Sequence, residues 1–304
     1  MDTQQKTILI TGASGLIGGA LTRYFAAAGH SVVALPRLPA GQCGNSGTAG
    51  WSPAEGQFYL PADVQPDVVI HLAGENAGDG RWTKRKKANI LLSRVHGAET
   101  LVDGIGHWPR PPELVLMASA VGFYGDTGMQ VVDESSAAGE GFLASISTQV
   151  EPLAVPLDTA DTRVVQMRLG VVMAAEGGAL PRMVLPYRLG IGGVIGNGRQ
   201  WLSWVSLSEL CRMVAFVIDT PALRGVVNMV SPKPVQNREL ARVLATLCGT
   251  KAWLPMPAAA VRLLFGEMGE EMLLSSSRVV PRRLREHGFE FSPEPLEAQL
   301  GQLL

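Results

Sequence analysis

Three glycines spaced three apart, Gly12, Gly15 and Gly18, follow the apolar run Thr7-Ile8-Leu9-Ile10 and open a segment with a helical pattern. Glycine at these places suits backbone N–H groups that must approach a phosphate. Gly12 permits a tight turn, Gly15 leaves room for a pyrophosphate, and Gly18 lets the helix lie close on the strand. The helix start adds free N–H groups and the positive end of its dipole. The chemistry expected is dinucleotide binding; a glycine turn with no ligand is the alternative. About twenty residues beyond the glycines, where an NAD site carries an acid for the ribose 2′-hydroxyl, stands Leu35-Pro36-Arg37. A guanidinium there suits a 2′-phosphate through paired charge-assisted hydrogen bonds, helped by the Ser14 hydroxyl, so NADP(H) is expected over NAD(H). A solvated loop arginine is the competing reading.

Such residues need a strand–turn–helix–strand frame. The pattern predicts a strand from Thr7, a helix over Leu16 to Ala28 and a strand over Ser31 to Leu35. Pro39 to Gly56, rich in Gly, Ser and Pro, reads as a surface loop where a third strand–helix unit is trimmed. Strands are expected within Asp67 to Gly74, at Glu113 to Ser119 and at Arg163 to Val172, with helices at Lys84 to Ile105 and Gly141 to Ala160. This alternation predicts an α/β fold, a Rossmann-like doubly wound parallel sheet, over residues 1–176. From Gly177 the chain turns glycine-rich and then helical. Residues 177–304 are expected to form a smaller substrate lobe over the carboxyl ends of the strands, with part of the chain returning to the sheet.

With 304 residues, 46% of them hydrophobic, the chain can bury a large core. Its net charge of −1 offers no basic field for nucleic acid or an anionic membrane. Cys43, Cys211 and Cys248 form no paired motif, which argues against a metal site or a disulfide framework. Met1 to Lys6 shows no leader pattern and no run is long enough to span a bilayer, so the cytoplasm is expected. The partner class left is a small-molecule substrate.

The chain resembles the extended and atypical short-chain dehydrogenase/reductases, and most closely their epimerase-like branch of cell-division-inhibitor-like epimerases. The segments carrying the resemblance are Thr11 to Gly18, His71-Leu72-Ala73-Gly74-Glu75-Asn76, Arg81-Trp82-Thr83, Ser93-Arg94-Val95, Ser119 to Gly125, Arg168-Leu169-Gly170-Val171-Val172, Gly177 to Leu180 and Leu185 to Gly190. They run in family order through nearly the whole chain, with a further piece around Phe265 to Pro281. The resemblance implies an NADP-binding Rossmann fold. It also implies cofactor contacts from Gly12, Ser14, Gly15, Leu16, Ile17, Gly18, Arg37, Leu72, Ala73, Gly74, Asn89, Arg94 and Val172. Asn89 and Arg94 lie at different angles on their helix and both serve only if the cofactor crosses its edge.

Ordinary members of that superfamily use Tyr-x-x-x-Lys, the lysine lowering the tyrosine pKa so that a phenolate can move a proton. This chain has four tyrosines, Tyr24, Tyr59, Tyr124 and Tyr187, and four residues after them stand Ala28, Asp63, Gly128 and Ile191. Counting eight back from Glu151 puts Leu143 and Ser147 in the two places. The remaining catalytic candidates are Ser119, matching the superfamily's hydrogen-bonding serine or else a plain strand-end hydroxyl, and Tyr124, read as a proton donor, as packing or as a substrate contact. His71 reads as a core histidine. Glu75 reads as facing the nicotinamide or capping, Asp133-Glu134 as structural. Arg182, Arg188, Arg199, Trp201 and Trp204 read as substrate contacts or lobe packing. Two functions follow: an NADP(H)-dependent epimerase-like or oxidoreductase-like enzyme with a non-standard proton donor, or a non-catalytic NADP(H)-responsive regulatory protein.

Overall fold

The structure is a computed structural model describing residues 5–39, 41–43, 47 and 49–304. Most of the Met1 to Lys6 segment, Met1 to Gln4, and part of the Pro39 to Gly56 loop lie outside the described residues. In chain order the first half runs β1 (Thr7–Thr11), α1 (Leu16–Ala27), β2 (Ser31–Leu35), β3 (Gly50–Ser52), β4 (Gln57–Tyr59), β5 (Val68–His71), α2 (Lys84–Gly106), β6 (Leu114–Ala120), α3 (Phe142–Val150), β7 (Arg163–Leu169) and β8 (Val171–Met173). The second half runs α4 (Ala179–Arg188), β9 (Trp201–Leu202), β10 (Trp204–Ser206), α5 (Leu207–Asp219), β11 (Gly225–Met229), β12 (Val235–Gln236), α6 (Asn237–Leu247), α7 (Ala258–Phe265), α8 (Glu267–Gly269), α9 (Arg282–Glu286) and α10 (Leu296–Gly301).

Because successive strand residues point to opposite faces, an aliphatic strand needs cover on both. β1 shows how this is met: Ile8 and Ile10 pack with Leu21 and Phe25 of α1 and Leu210 and Val214 of α5, while Leu9 packs with Ala98 and Leu101 of α2. Six strands form one parallel sheet in the order β2-β1-β5-β6-β7-β11, the doubly wound Rossmann-like arrangement expected. The chain leaves β1 for β2 on one side and returns to β5 on the other. The loops after β1 and β5 therefore diverge and open a crevice at their carboxyl ends.

Several expected elements are corrected. The segment at Pro39 to Gly56 is more than a loop: β3 and β4 form a hairpin whose Trp51 is 1% exposed and packs on α2 and the sheet. Its hydrophobic payload had been hidden among Gly, Ser and Pro. The helix predicted to Ala160 stops at Val150 and tightens into a 3₁₀ turn over Glu151–Leu157, since Pro152 and Pro156 lack the N–H groups an α-helix requires. The strand predicted over Arg163 to Val172 breaks at Gly170, where a Cβ would meet Val230 and the Ser203 carbonyl, and β8 departs to pair with β10. Beyond Gly177 the chain supplies a separate core around α4, α6 and α10, the sheet strand β11, and the helix α5 that packs in the main core. Among the described residues no helix is long and apolar enough to cross a membrane.

Candidate functional site

The crevice is built from the β1–α1 turn, the β5 turn and the ends of β6 and β7. Gly12 has φ 70°, the left-handed region, and a Cβ there would lie 2.9 Å from the Ala73 nitrogen and 3.0 Å from the Leu72 carbonyl carbon. The turn closes through Gly15 N–H donating to the Gly12 carbonyl at 3.0 Å. A Cβ on Gly18 would run into that same carbonyl, so only glycine lets α1 begin this near β1. Helix α1 has no side-chain cap and no acid in its first turn. Its first-turn N–H groups, at Leu16, Ile17 and Gly18, lie beyond reach of the helix's own carbonyls. Ser14 and Gly15 are exposed beside them.

Thr11 ties the two lips of the crevice together. Its Oγ1 lies 2.8 Å from His71 Nδ1 and accepts from Leu72 N–H at 3.2 Å and Ala73 N–H at 3.4 Å. His71 is 4% exposed, and burial, then the Arg94 charge, pushes its pKa down to about 4. This is the satisfied core histidine expected from its strand. Gly177 and Gly178 come down on Leu16, placing Val172 beside the start of α1.

Arg37 lies two residues past β2 with an exposed side chain, and its backbone is fixed by a bridge to Trp51. Arg94 is committed differently. Its guanidinium sits under Gly74, donating at 3.0 Å to the carbonyls of Glu75 and Ile90, so it props the β5 turn. Burial pulls its pKa down against the opposing pull of Glu75. Ser93 accepts from Glu75 N–H, and Lys86 pairs with the Glu75 carboxylate at 2.6 Å. Asn89 is exposed on α2, off this cluster's hydrogen bonds.

Ser119, next to last in β6, is half-buried, and its hydroxyl donates to Glu151 at 2.6 Å. Tyr124 is buried with its hydroxyl engaged on both sides. It is 3% exposed, donates to Asn228 Oδ1 at 2.8 Å and accepts from Arg168 at 3.0 Å. Burial raises its pKa, although Arg168 and Asn228 pull the other way. Leu143 packs on Gly122, and Ser147 is 6% exposed with its hydroxyl turned to the Leu143 carbonyl. Arg182 pairs with Asp79, Trp204 is buried with its indole N–H on the Lys233 carbonyl, and Glu134 takes backbone N–H groups of Asn228, Arg282 and Arg283.

Sequence reasoning missed Glu151 and Arg168 as a bonded pair. Arg168 bonds Glu151 through Nε at 2.9 Å and Nη2 at 2.7 Å, and its guanidinium lies 3.2 Å from the centroid of the Phe123 ring. Burial disfavours its charge, but the bonds to Glu151 and Tyr124 outweigh that and hold its pKa above the ordinary value. The available signal was an arginine near the end of the largely apolar strand Arg163–Leu169, where a buried charge demands a partner. Glu271 was missed as well: its carboxylate accepts from the N–H groups of Phe142 and Leu143, capping α3 from the C-terminal segment.

A family model described as the NAD dependent epimerase/dehydratase family matches residues 8–229, and another, a domain of unknown function (DUF1731), matches residues 256–303. The chain is similar to the epimerase family protein Mb2239 of Mycobacterium bovis, at 37% identity over 295 residues, covering 97% of this chain and 96% of that one. It is similar to the crystal structure of human epimerase family protein SDR39U1 (isoform 2) with NADPH, at TM-score 0.87 and 32% identity over 98% of each chain. It also resembles a nucleoside-diphosphate sugar epimerase from Corynebacterium glutamicum, at TM-score 0.78 and 29% identity, covering 99% of this chain and 58% of that one.

Proposed function

The chain belongs to the NAD dependent epimerase/dehydratase family, and from that premise we propose that it binds NADP(H) and moves hydride to or from a small substrate in the crevice. The observation that carries the reading is the glycine cradle: Gly12 and Gly18 are packed so closely that a Cβ would collide, and the uncapped start of α1 stands at its mouth. These residues fit a pyrophosphate. Leu16, Ile17 and Gly18 would hold it by backbone N–H, and Ser14 and Arg37 would take a 2′-phosphate in place of the acid an NAD site carries. Leu72, Ala73, Gly74 and Val172 would line the cofactor's path, with Arg94 holding the turn from below. The human relative's NADPH supports the same choice.

Bound nicotinamide supplies a two-electron hydride donor or acceptor. Ser119 would contact the substrate, with Glu151 and Arg168 holding it in place. The partner is a small molecule, with neither nucleic acid nor membrane, in the cytoplasm. A second reading, an NADP(H)-responsive regulatory protein without turnover, draws support from one observation: Tyr124 has its hydroxyl committed to Asn228 and Arg168. Calorimetric titration with NADPH and NADH tests the cofactor choice. NADPH should bind more tightly, and Arg37→Ala should cut the preference roughly ten- to a hundredfold, the loss of a charge-assisted hydrogen bond. Equal affinities in the unchanged protein would reject the assignment. NADPH oxidation with a panel of carbonyl compounds, together with NADP+ reduction with the corresponding alcohols, separates the two readings.

A further inference from the structure

A serine hydroxyl has one proton to donate and two lone pairs with which to accept. Ser119 spends its proton on Glu151 Oε1 at 2.6 Å. The acceptor has no proton to return: Arg168 Nε donates to Oε1 at 2.9 Å and Nη2 to Oε2 at 2.7 Å, so both carboxylate oxygens receive N–H donors. The pair is dry, its side chains 4% and 11% exposed for Arg168 and Glu151. It is also braced. Gln166 Nε2 donates to the Glu151 carbonyl at 2.8 Å, Arg168 stacks on Phe123, and its third bond runs to Tyr124 and on to Asn228. Turning the Ser119 proton towards the crevice would give up a short bond to a buried carboxylate and leave Glu151 Oε1 with Arg168 Nε as its one remaining donor among these bonds.

We propose that Glu151 is a positioning residue that makes Ser119 a hydrogen-bond acceptor towards the crevice, so that the substrate group seated there is a donor, a hydroxyl rather than a carbonyl. The inference rests on the reading of the crevice as a cofactor-dependent substrate site. A carbonyl oxygen at the same place would face lone pairs with lone pairs, whereas an alcohol completes the chain from substrate to Ser119 to Glu151 to Arg168.

The test uses the full chain loaded with tetrahydro-NADP, an analogue unable to deliver hydride, and compares cyclohexanol with cyclohexanone by ligand-observed NMR. The alcohol should bind about tenfold more tightly. The preference should vanish in Ser119→Ala and fall in Glu151→Asp, whose shorter carboxylate can stay on Arg168 only by drawing away from Ser119. In parallel, infrared spectra of protein labelled with ¹³C-carboxyl glutamate, taken without ligand or cofactor, should show one carboxylate band shifting on Ser119→Ala. Equal or tighter binding of the ketone overturns the proposal, as does binding of neither probe or an unmoved infrared band. Failure of the analogue itself to bind strikes the cofactor reading instead, and the infrared comparison still decides the Ser119–Glu151 bond.

Discussion

Acid should loosen this fold through His71, and by a calculable amount. The ring is 4% exposed at the end of β5, edge-on to Trp51 at 5.5 Å between centroids. Thr11 Oγ1 already accepts from Leu72 and Ala73, so its own proton goes to His71 Nδ1 at 2.8 Å. Protonating the ring replaces that acceptor with a second donor and adds a charge where burial and Arg94 oppose it, which is why the pKa drops from 6.5 to about 4. The folded chain therefore binds fewer protons at His71 than the unfolded chain between these values. The stabilising contribution is fully present above pH 6.5 and is lost as pH falls through 4. At about 1.36 kcal/mol per pKa unit the total is about 3 kcal/mol, of which about 2 kcal/mol is lost between pH 7.5 and pH 5. Urea denaturation across that range, for the unchanged protein and His71→Asn, measures it. Asparagine keeps an acceptor for Thr11 but does not titrate, so the variant starts less stable by a cavity cost and the two stability curves converge by about 2 kcal/mol towards pH 5. Parallel curves would refute the reasoning.

Two further outcomes are expected. Gly18→Ala, whose Cβ would strike the Gly12 carbonyl and come within 2.8 Å of Ala13 Cα, should lose about 1–3 kcal/mol of stability and most NADPH affinity; Gly15→Ala, meeting only the Gly12 carbonyl at 3.2 Å, should lose less than about 1 kcal/mol. Equal losses in denaturation midpoints would mean the helix is not seated by Gly18. Tyr124→Phe should cost about 1–2 kcal/mol by leaving Arg168 and Asn228 each short of a partner, while NADPH affinity is unchanged and any turnover stays within about threefold. A fall in kcat of about a hundredfold or more would instead make Tyr124 the proton donor.

The sequence by itself determined the architecture. Thr7–Thr11 and Ser31–Leu35 are strands because β-branched and aliphatic runs favour extended backbone, and the turn between β1 and α1 needs a residue of positive φ, which Gly12 supplies. These are local preferences, so strand–helix alternation and its parallel, doubly wound sheet are legible without any knowledge of partners. What only the tertiary structure decided is where polar side chains spend their hydrogen bonds. Tyr124 looks free in the sequence but is drawn inward by Arg168, 44 residues on, and Asn228, 104 residues on. Trp51 belongs to the core through contacts with α2, not through its polar neighbours. Glu151 lies 32 residues from Ser119, and the two meet because β6 and β7 pair in register and Pro152 and Pro156 turn the chain out of α3 beside them. A buried charge takes whichever partner the fold brings within about 3 Å, because going without one costs several kcal/mol. That choice is made by packing between distant segments, and no local pattern encodes it.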